Sequence, residues 1–540
     1  MIPLDAEIGS SIALVVDGNS ASRSLLANLL RDFGVPEVRQ ARSPLDARRL
    51  LEQGRFDIVI CDYDFDGEPV SGQDLMDDLR LANILPLSTV VVMISAEAGR
   101  SRVTEAAEAA LDAYLIKPHT AEALRQRLLQ SRMRKRALKD VIAHVEGKDF
   151  LAAAEACQVR FDTRGPAWVQ AARIGAELWL RLGKPHAAQR LFEAILGIGA
   201  VPWARLGVAR SLCDRGNTRQ ARRSLESLLS EQPGYTDAYD VMARVLLEQG
   251  QPDMALSASR EALAQTPGCV GRLVKHGLLA FFYGDQGEAA TSLERAARYG
   301  LRSKVFDLQG LVLLAFVQFD RNDRRGLAQS WRSIGAARAD CPDSDRLRRF
   351  ESVIAILKLL LERQVPEALA QVRELIGEAR DATFECEAAC NVLAVVARLM
   401  RCELHPAGID HDARVLASRF AVSRTTCELL IKSLLDNAEL GAVVRDAYAA
   451  ICVAAEDAVS NSLNGTPGQA ARALLDLADS TLNARLMDLA IHTMERYEDR
   501  IEGVRALRVS AEILRGHYCS YGTQVTTQGD ARAFGGLALP

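Results

Sequence analysis

The stretch that decides the fold is Ile58-Val59-Ile60-Cys61-Asp62, a short apolar run that ends at a carboxylate. Similar apolar runs occupy residues 12–16, 90–94 and 113–116. Continuous apolar runs without alternation are typical of strands that are buried on both faces of a sheet. The N-terminal part of the chain is therefore predicted to contain a buried sheet.

Segments with helical periodicity separate these runs, at residues 22–32 and 97–111 among others. Because strands and helices alternate, the sequence predicts a doubly wound α/β domain with a parallel sheet. In such sheets ligands bind at the carboxyl ends of the strands. Four polar residues follow apolar runs and are predicted to lie at those ends: Asp17, Asp62, Ser95 and Lys117.

These four side chains are the set that a phosphoryl group requires. One carboxylate acts as the nucleophile, another holds a divalent cation, a hydroxyl donates a hydrogen bond and an ammonium group neutralises charge. Asp62, Asp17, Ser95 and Lys117 supply those parts in that order. The alternative is that they are ordinary polar residues at strand ends, but four matches in chain order favour a phosphoryl site.

The same region resembles the receiver domain of bacterial two-component response regulators, which has a flavodoxin-like five-stranded sheet. The resemblance extends from Met1 to about Gln130 and rests on four motifs: V-V-D-G-N-S-A-S-R at 15–23, I-C-D-Y-D at 60–64, I-S-A-E-A at 94–98 and Y-L-I-K-P at 114–118.

The resemblance implies a role for each matching residue. Asp62 would accept phosphate from a sensor histidine kinase or a phosphotransfer protein. Lys117 would contact the phosphoryl group, Ser95 would hydrogen-bond it, and Tyr114 would be the aromatic residue that swings inward. The family also implies a cis peptide bond at Lys117-Pro118.

Two departures from the family pattern concern the cation: an acid is missing after the first strand, and the loop at 64–69 is longer and more acidic than the family's usual turn. Receivers usually carry adjacent acids after the first strand, whereas here Asp17 is followed by Gly18, so one expected Mg²⁺ ligand is missing. The metal set is then Asp17, Asp62 and Asp64, with Asp66 as another replacement for the lost acid. The alternative is that Asp64 and Asp66 belong to an acidic, solvated loop, in which case Mg²⁺ is held weakly and phosphorylation is slow or lost.

The chain of 540 residues is too long for one core, so more than one domain is expected. The predicted division is a receiver domain at 1–130 and a basic linker helix at 131–150. Seven Lys and Arg residues occur between 125 and 139. They form either a solvated face or interdomain contact, or a surface for nucleic acid or an acidic membrane; the former is favoured because no DNA-binding motif follows.

An internal repeat follows the linker. Gly216, Gly250 and Gly284 are spaced at a constant step of 34, and so are three further columns: Ala209, Ala243 and Gly277; Ala221, Ala255 and Ala289; Pro233 and Pro267. An earlier unit, with Ala176, Gly183 and Ala188, matches at a step of 33. Small residues allow two helices to approach closely and glycine permits the turn between them. The pattern resembles tetratricopeptide repeats and predicts stacked helical hairpins over residues 151–301.

Beyond residue 301 the register decays, and residues 302–515 are predicted to form irregular helical pairs that prolong or cap the repeats. The segments with helical periodicity are 350–361, 367–376, 386–399, 430–440, 442–459 and 470–496. Residues 516–540 are rich in Gly, Thr and Gln, which predicts a disordered tail.

Composition restricts the function classes. The net charge of −4 gives no electrostatic footprint for nucleic acid, and no apolar run is long enough for membrane insertion. Eleven cysteines without a C-x-x-C pair argue against a disulfide framework or a zinc site. The protein is expected to be cytoplasmic and, lacking catalytic motifs in the helical half, not an enzyme beyond phosphoryl acceptance.

The helical half is expected to bind another protein. Arg210 and Arg244 share a repeat position and either face the groove, where they bind an acidic partner segment, or are exposed residues without a partner. The main hypothesis is a phosphorylation-responsive regulator whose repeats bind a second signalling protein, such as a kinase, another regulator or a cyclic-dinucleotide enzyme. A homodimer is also compatible with this architecture.

Two other functions stay open. In one, the receiver is a phosphate sink or decoy that withdraws phosphoryl groups from a cognate regulator. In the other, the receiver is degenerate, as Gly18 suggests, and the protein is a constitutive adaptor.

Overall fold

The computed structural model describes residues 8–65, 71–81, 84–96, 112–199, 201–301, 306–435 and 437–518. These residues form two compact units. The first contains the described residues up to His276 together with Glu294–Asp307, and the second contains Gly277–Leu293 and the described residues from Leu308 onwards.

The first unit begins with the predicted parallel sheet. Its five strands are β1 (Ile12–Val16), β2 (Glu37–Ala41), β3 (Ile58–Asp62), β4 (Val90–Ser95) and β5 (Ala113–Ile116). All neighbouring strands pair in parallel, in the order β2-β1-β3-β4-β5. The doubly wound α/β fold is therefore confirmed.

Helices cover both faces of this sheet. They are α1 (Ser20–Asp32), α2 (Pro44–Gln53), α3 (Gly72–Leu81) and α4 (Ala121–Ala137), and a 3₁₀ turn at Ile8–Ser10 precedes β1. Ala13, Val15 and Ile60 pack on one face with α1 and α4, whereas Leu14, Val16 and Cys61 pack on the other with α2 and α3. Because alternate strand residues point to opposite faces, apolar runs without alternation fill both layers. The predicted helix at 97–111 lies outside the described residues.

Helical hairpins follow the sheet domain. The helices up to residue 300 are α5 (Lys139–Glu146), α6 (Phe150–Asp162), α7 (Trp168–Arg181), α8 (Pro185–Leu196), α9 (Pro202–Asp214), α10 (Thr218–Glu231), α11 (Thr236–Glu248), α12 (Pro252–Gln265), α13 (Val270–Tyr283) and α14 (Gln286–Gly300). No helix in the described part of the chain has the length and apolar character needed to cross a membrane.

The predicted repeat positions have the expected structural roles. Gly183, Gly216 and Gly250 end the first helix of their hairpins with left-handed φ angles of 68°, 77° and 71°, a conformation that glycine adopts without steric cost. In the second unit, a Cβ added at Gly277 would lie 2.6 Å from the Leu293 side chain. Close helix approach therefore requires a small residue there, and the helical-repeat prediction is confirmed.

The remaining helices belong to the second unit. They are α15 (Gln309–Asp320), α16 (Arg324–Asp340), α17 (Asp345–Leu361), α18 (Val365–Gly377), α19 (Cys386–Arg401), α20 (Ile409–Phe420), α21 (Arg424–Ser433), α22 (Ala438–Leu463), α23 (Pro467–Thr481), α24 (Ala484–Arg496) and α25 (Val504–Tyr518), with 3₁₀ turns at Glu378–Arg380 and Glu498–Arg500. Helical pairs thus continue after residue 301, as predicted.

Two of the predicted segments with helical periodicity are interrupted by turns. The segment 430–440 is broken, because α21 ends at Ser433 and the Asn437 side chain caps α22 by accepting from the amide of Leu440 at 2.9 Å. The segment 470–496 is two helices, separated by Leu482 at a φ of 57°. At the C-terminus, Gly516–Tyr518 of the predicted tail are the end of α25, and 519–540 lie outside the described residues.

Candidate functional site

The strand ends bring the predicted phosphoryl-site residues to one edge of the sheet. The amide of Tyr63, directly after Asp62, donates to the carbonyl of Ile94 at 2.8 Å, and the amide of Lys117 donates to the carbonyl of Ser95 at 2.8 Å. Asp62, Ser95 and Lys117 are therefore on adjacent strand ends. Parallel pairing aligns the carboxyl ends, so the sequence could predict this convergence.

The Lys117 ammonium joins the two carboxylates of the site. Its Nζ lies 2.6 Å from Oδ2 of Asp62 and 3.2 Å from Oδ2 of Asp17. The Asp17 side chain is almost fully buried, whereas 12% of the Asp62 side chain is exposed. The peptide bond between Lys117 and Pro118 is cis, which confirms the expectation from the family resemblance. Asp62 is thus the more accessible carboxylate of the pair.

The Asp17 carboxylate has other hydrogen bonds as well. Its Oδ2 accepts from Oγ of Ser22 at 2.6 Å, and its Oδ1 accepts from the amide of Asn19 at 2.8 Å. Asp64 is exposed, and Asp66 lies outside the described residues. Among the described residues, no cluster of three or more acids, histidines or cysteines is placed to hold a metal ion.

Ser95 and Tyr114 differ in their exposure. Ser95 is completely buried at the end of β4. Tyr114 is partly buried against the apolar cluster that contains Cys61 and Met93, and its hydroxyl oxygen is buried. The side chain of Tyr114 therefore lies against the sheet domain rather than in solvent.

Burial controls the protonation of the site. It raises the pKa of the Asp62 carboxyl, and Asp17 adds to this effect, while the hydrogen bond and charge of Lys117 oppose it. Burial lowers the pKa of Lys117, but its hydrogen bonds and charge interactions with Asp62 and Asp17 outweigh that effect, so the pKa is raised. Burial raises the pKa of the neighbouring Cys61 thiol well above its usual value, and both carboxylates raise it further. The Cys61 thiol is therefore protonated at neutral pH.

Gly72 supports the Asp62 position and was missed by the sequence analysis. A Cβ at Gly72 would lie 2.0 Å from the carbonyl oxygen of Asp62, and the Gly72 amide donates to the carbonyl of Tyr63 at 2.8 Å. The start of α3 thus packs directly on the backbone of Asp62. The only available signal was a glycine at the start of a helical segment, which is weak on its own.

Comparisons with known proteins agree with this geometry. The family model described as "Response regulator receiver domain" matches residues 13–129. "Chemotaxis protein CheY-3" of Vibrio cholerae is 38% identical over 115 residues, which are 21% of this chain and 86% of that protein. The chain belongs to the response regulator family.

Two further similarities were found. "Chemotaxis protein CheY" of Pseudomonas aeruginosa is 35% identical over 115 residues, or 21% of this chain and 90% of that protein. A solved tetratricopeptide repeat protein from Parabacteroides merdae aligns with 49% of this chain and 98% of its own, at 14% identity and a TM-score of 0.35. The description of the helical region as repeats rests on its own hairpins.

The receiver site predicts a pH-dependent stability. Because the folded pKa of Asp62 is raised, the folded state binds more protons than the unfolded chain, and its stability falls as pH rises from about 3.9 through the folded pKa. Without Mg²⁺, Asp62→Asn is therefore expected to stabilise the sheet at neutral pH and to have little effect below about pH 3.9. Hydrogen exchange of β1 and β3 at each pH measures this difference.

The control for this prediction is Asp32→Asn, since Asp32 is exposed on the receiver surface. It removes the same charge without changing the buried pair. Two results would contradict the assignment of burial as the dominant effect on the pKa of Asp62. One is that Asp62→Asn is less protected from hydrogen exchange than wild type at neutral pH, and the other is that its protection differs from wild type by the same amount at every pH.

The two groove candidates in the repeats have partners within the chain. The Arg210 side chain is buried and lies 2.7 Å from the carboxylate of Glu177, and Arg244 lies 2.7 Å from the carboxylate of Asp214. Each arginine thus pairs with an acid of the preceding hairpin. The description of either arginine as an exposed residue without a partner is wrong, and a contact with a second protein would first have to displace these acids.

Proposed function

We propose that this response regulator accepts a phosphoryl group on Asp62 from a histidine kinase or phosphotransfer protein. The observation that carries the proposal is the Asp62 carboxylate, partly exposed at a strand end, with the Lys117 ammonium 2.6 Å away. In the transfer, an Asp62 oxygen forms a bond to phosphorus while the phosphorus–nitrogen bond of the donor phosphohistidine breaks. The leaving imidazole keeps the electron pair of that bond.

Lys117 and Ser95 would act on the transferred group. Lys117 holds its proton at neutral pH because its pKa is raised, so its charge is available to the phosphoryl oxygens. Ser95, one residue beyond the strand partner of Asp62, would donate its hydroxyl. Tyr114 would respond by moving further inward.

The residues fit a weakly held Mg²⁺. Asp17 and Asp62 converge on the same ammonium group, at 3.2 and 2.6 Å, and would be the two carboxylates that hold the cation. Mg²⁺ needs few protein ligands because it keeps several waters. When bound, it would neutralise phosphoryl charge. In the described part of the chain, Asp64 does not form a three-acid cluster with Asp17 and Asp62, so the sequence prediction of Asp64 as a third ligand is not supported. The hydrogen bonds of Asp17 to Ser22 and Asn19 also compete with coordination.

The proposed output is protein–protein interaction through the repeats, and contacts in the first unit offer a route to them. Asp112, which precedes β5, pairs with Lys135 at 3.1 Å, and its carbonyl accepts from Oγ of Ser131 at 2.9 Å. Lys135 also donates to the carbonyl of Leu87. The residue before β5, the strand that ends next to Lys117, is thus bonded to the end of α4, which leads directly into the first hairpin.

Apolar packing continues this route. Leu87, in the loop before β4, shares a core cluster with Leu138, Val141 and Val145 of the α4–α5 segment and with α6. Ser88 next to it hydrogen-bonds the carboxylate of Glu146 at 3.3 Å. A shift of β4 or β5 after phosphorylation would therefore move the start of the repeats. This supports a division in which the linker at 131–150 transmits the signal.

The constitutive adaptor is the second candidate, because Gly18 removes one acid and Asp17 is already hydrogen-bonded. Incubation with a small phosphodonor and Mg²⁺ distinguishes the phosphorylated regulator from the constitutive adaptor. Intact-mass analysis should find one added phosphoryl group on wild type and none on Asp62→Asn, with circular dichroism showing that both are folded. Wild type that stays unmodified while folded would leave only the adaptor.

A further inference from the structure

The first unit contains a cavity that the phosphoryl site does not use. It has a volume of about 440 Å³ and lies between α6, α7 and α8. Its lining combines apolar side chains with two cations and one amide: Phe161, Trp179, Ala187 and Leu191, with Lys184, Arg190 and Gln158. No carboxylate lines it among the described residues. The volume is in the range of binding pockets rather than packing defects.

Trp179 has a buried polar group that the described residues around it do not satisfy. Its side chain is 9% exposed, and its Nε1 is buried without a hydrogen-bond acceptor among the described residues. A buried donor without an acceptor destabilises the folded state. Trp179 lies four residues before the left-handed Gly183. The residues four before the corresponding glycines of the next two hairpins are Leu212 and Leu246, and both are also buried. The Trp179 ring belongs to the apolar core of its hairpin. Leucine fills the corresponding positions without a polar group, so packing alone does not require the buried indole N–H.

The two cations give the cavity a positive charge. The Lys184 ammonium lies 5.0 Å from the centroid of the Trp179 ring. Arg190 is exposed and makes no ion pair with any described residue. An occupant with an apolar group and adjacent negative charge would therefore satisfy the cations and the indole N–H together.

We propose that this cavity binds an acidic segment of a partner protein. A large apolar side chain of the segment enters between Phe161 and Leu191, a carbonyl or carboxylate oxygen accepts from Nε1 of Trp179, and neighbouring carboxylates pair with Lys184 and Arg190. The inference rests on the protein-binding half of the proposed function and not on phosphorylation of Asp62.

A displayed library of random peptides, selected on the immobilised full-length protein, tests the proposal. Selected peptides should be enriched in Asp or Glu beside a large apolar residue. Arg190→Glu should weaken them by about tenfold, and Trp179→Phe, which keeps a ring but removes the donor, by about fivefold. The matched control is Arg223→Glu, because Arg223 is an exposed arginine at the equivalent position of the next hairpin, as far beyond Gly216 as Arg190 is beyond Gly183. It should leave binding unchanged.

The indole N–H provides a direct readout. The protein has four tryptophans, so labelling with ¹⁵N-tryptophan gives four indole signals, and Trp179→Phe identifies one of them. A selected peptide should shift the Trp179 signal as its N–H gains an acceptor. An empty selection, peptides without acidic enrichment, equal binding to Arg190→Glu, or an unmoved Trp179 signal would each overturn the proposal.

The peptide-binding test can be read independently of phosphorylation at Asp62. Asp62→Asn should bind the selected peptides as wild type does. If selection fails while phosphate uptake is normal, the proposal of a peptide-binding cavity is refuted and the proposal of Asp62 phosphorylation stands. If selected peptides bind but no phosphate is taken up, the cavity proposal stands and the phosphorylation proposal is refuted.

Discussion

Gly18→Asp is expected to raise the affinity of the receiver for Mg²⁺ by about tenfold or more, because each added carboxylate strengthens an oxygen site for a divalent cation. The position has room for the change. The nearest atom to a Cβ at Gly18 would be the carbonyl oxygen of Arg42 at 4.0 Å, and its backbone is not left-handed. Asp17 cannot compensate by itself, since Ser22, Asn19 and Lys117 already hydrogen-bond its carboxylate.

The added charge has an opposite effect without metal. A third carboxylate near Asp17 and Asp62 repels both and raises the pKa of Asp62 further, so the metal-free variant should be less stable than wild type. Mg²⁺ binding then stabilises it by mass action. The variant should therefore show a larger rise in thermal midpoint on addition of Mg²⁺ than wild type does.

Calorimetric titration with Mg²⁺ and the rate of phosphorylation at limiting Mg²⁺ measure the effect. Gly18→Asn is the matched control, because it has the same shape but adds no charge. Equal Mg²⁺ affinities for Gly18→Asp and Gly18→Asn would show that residue 18 does not reach the cation, and the assignment of the missing ligand would fail.

The sequence predicts the strand ends well because the central strands are completely buried. The runs that form β1, β3 and β4 are apolar at nearly every position, so no surface pattern obscures them. The edge strand β2 is different: Glu37–Ala41 reads E-V-R-Q-A and is mostly exposed. The other edge strand, β5, keeps an apolar run, but β2 has none, so its position could not be read from the sequence in this way.

The repeat register disappears after residue 301 because other residues replace glycine at the turns. Asn322, Arg363 and Glu403 have left-handed φ angles of 55°, 61° and 61°, at the position that Gly216 and Gly250 occupy in earlier hairpins. Such angles are uncommon for residues other than glycine. These later turns also lie further apart along the chain than the glycine turns do. Because the later turns have neither glycine nor the earlier repeat spacing, the repeat could not be traced in the sequence beyond residue 301.

The sequence predicts which residues meet at this edge of the sheet, but not the hydrogen bonds that occupy the Asp17 carboxylate. Asp62, Ser95 and Lys117 follow from their positions at strand ends. The engagement of Asp17 depends on the first turn of α1, where Asn19 caps the helix and Ser22 turns its hydroxyl toward the carboxylate. This geometry is set by one short loop, and a pattern of residue types does not specify it.

Arg272→Ala is expected to destabilise the first unit by about 3–5 kcal/mol, because it leaves buried carboxylates without their partner. The Arg272 guanidinium lies 2.7 Å from Asp237 and 2.9 Å from Asp240, and it also donates to Oγ1 of Thr266 at 2.9 Å. All three charged side chains are almost fully buried. Burial already raises the pKa of Asp240 even with the arginine present, and Lys275, whose pKa burial lowers to about 7, is a poor substitute.

The loss should depend on pH and on the charge of the two acids. Without Arg272 the carboxyls have raised folded pKa values, so the penalty is complete at neutral pH and shrinks as pH falls toward about 3.9, where they are also protonated in the unfolded chain. Arg272→Met combined with Asp237→Asn and Asp240→Asn should recover most of the stability, since neutral groups replace a buried charged set. Hydrogen exchange of α11 and α13, with the exposed Arg219→Ala as control, measures these differences. An Arg272→Ala protein within about 1 kcal/mol of wild type at neutral pH would show that water reaches the acids and that this ion pair does not hold the two hairpins together.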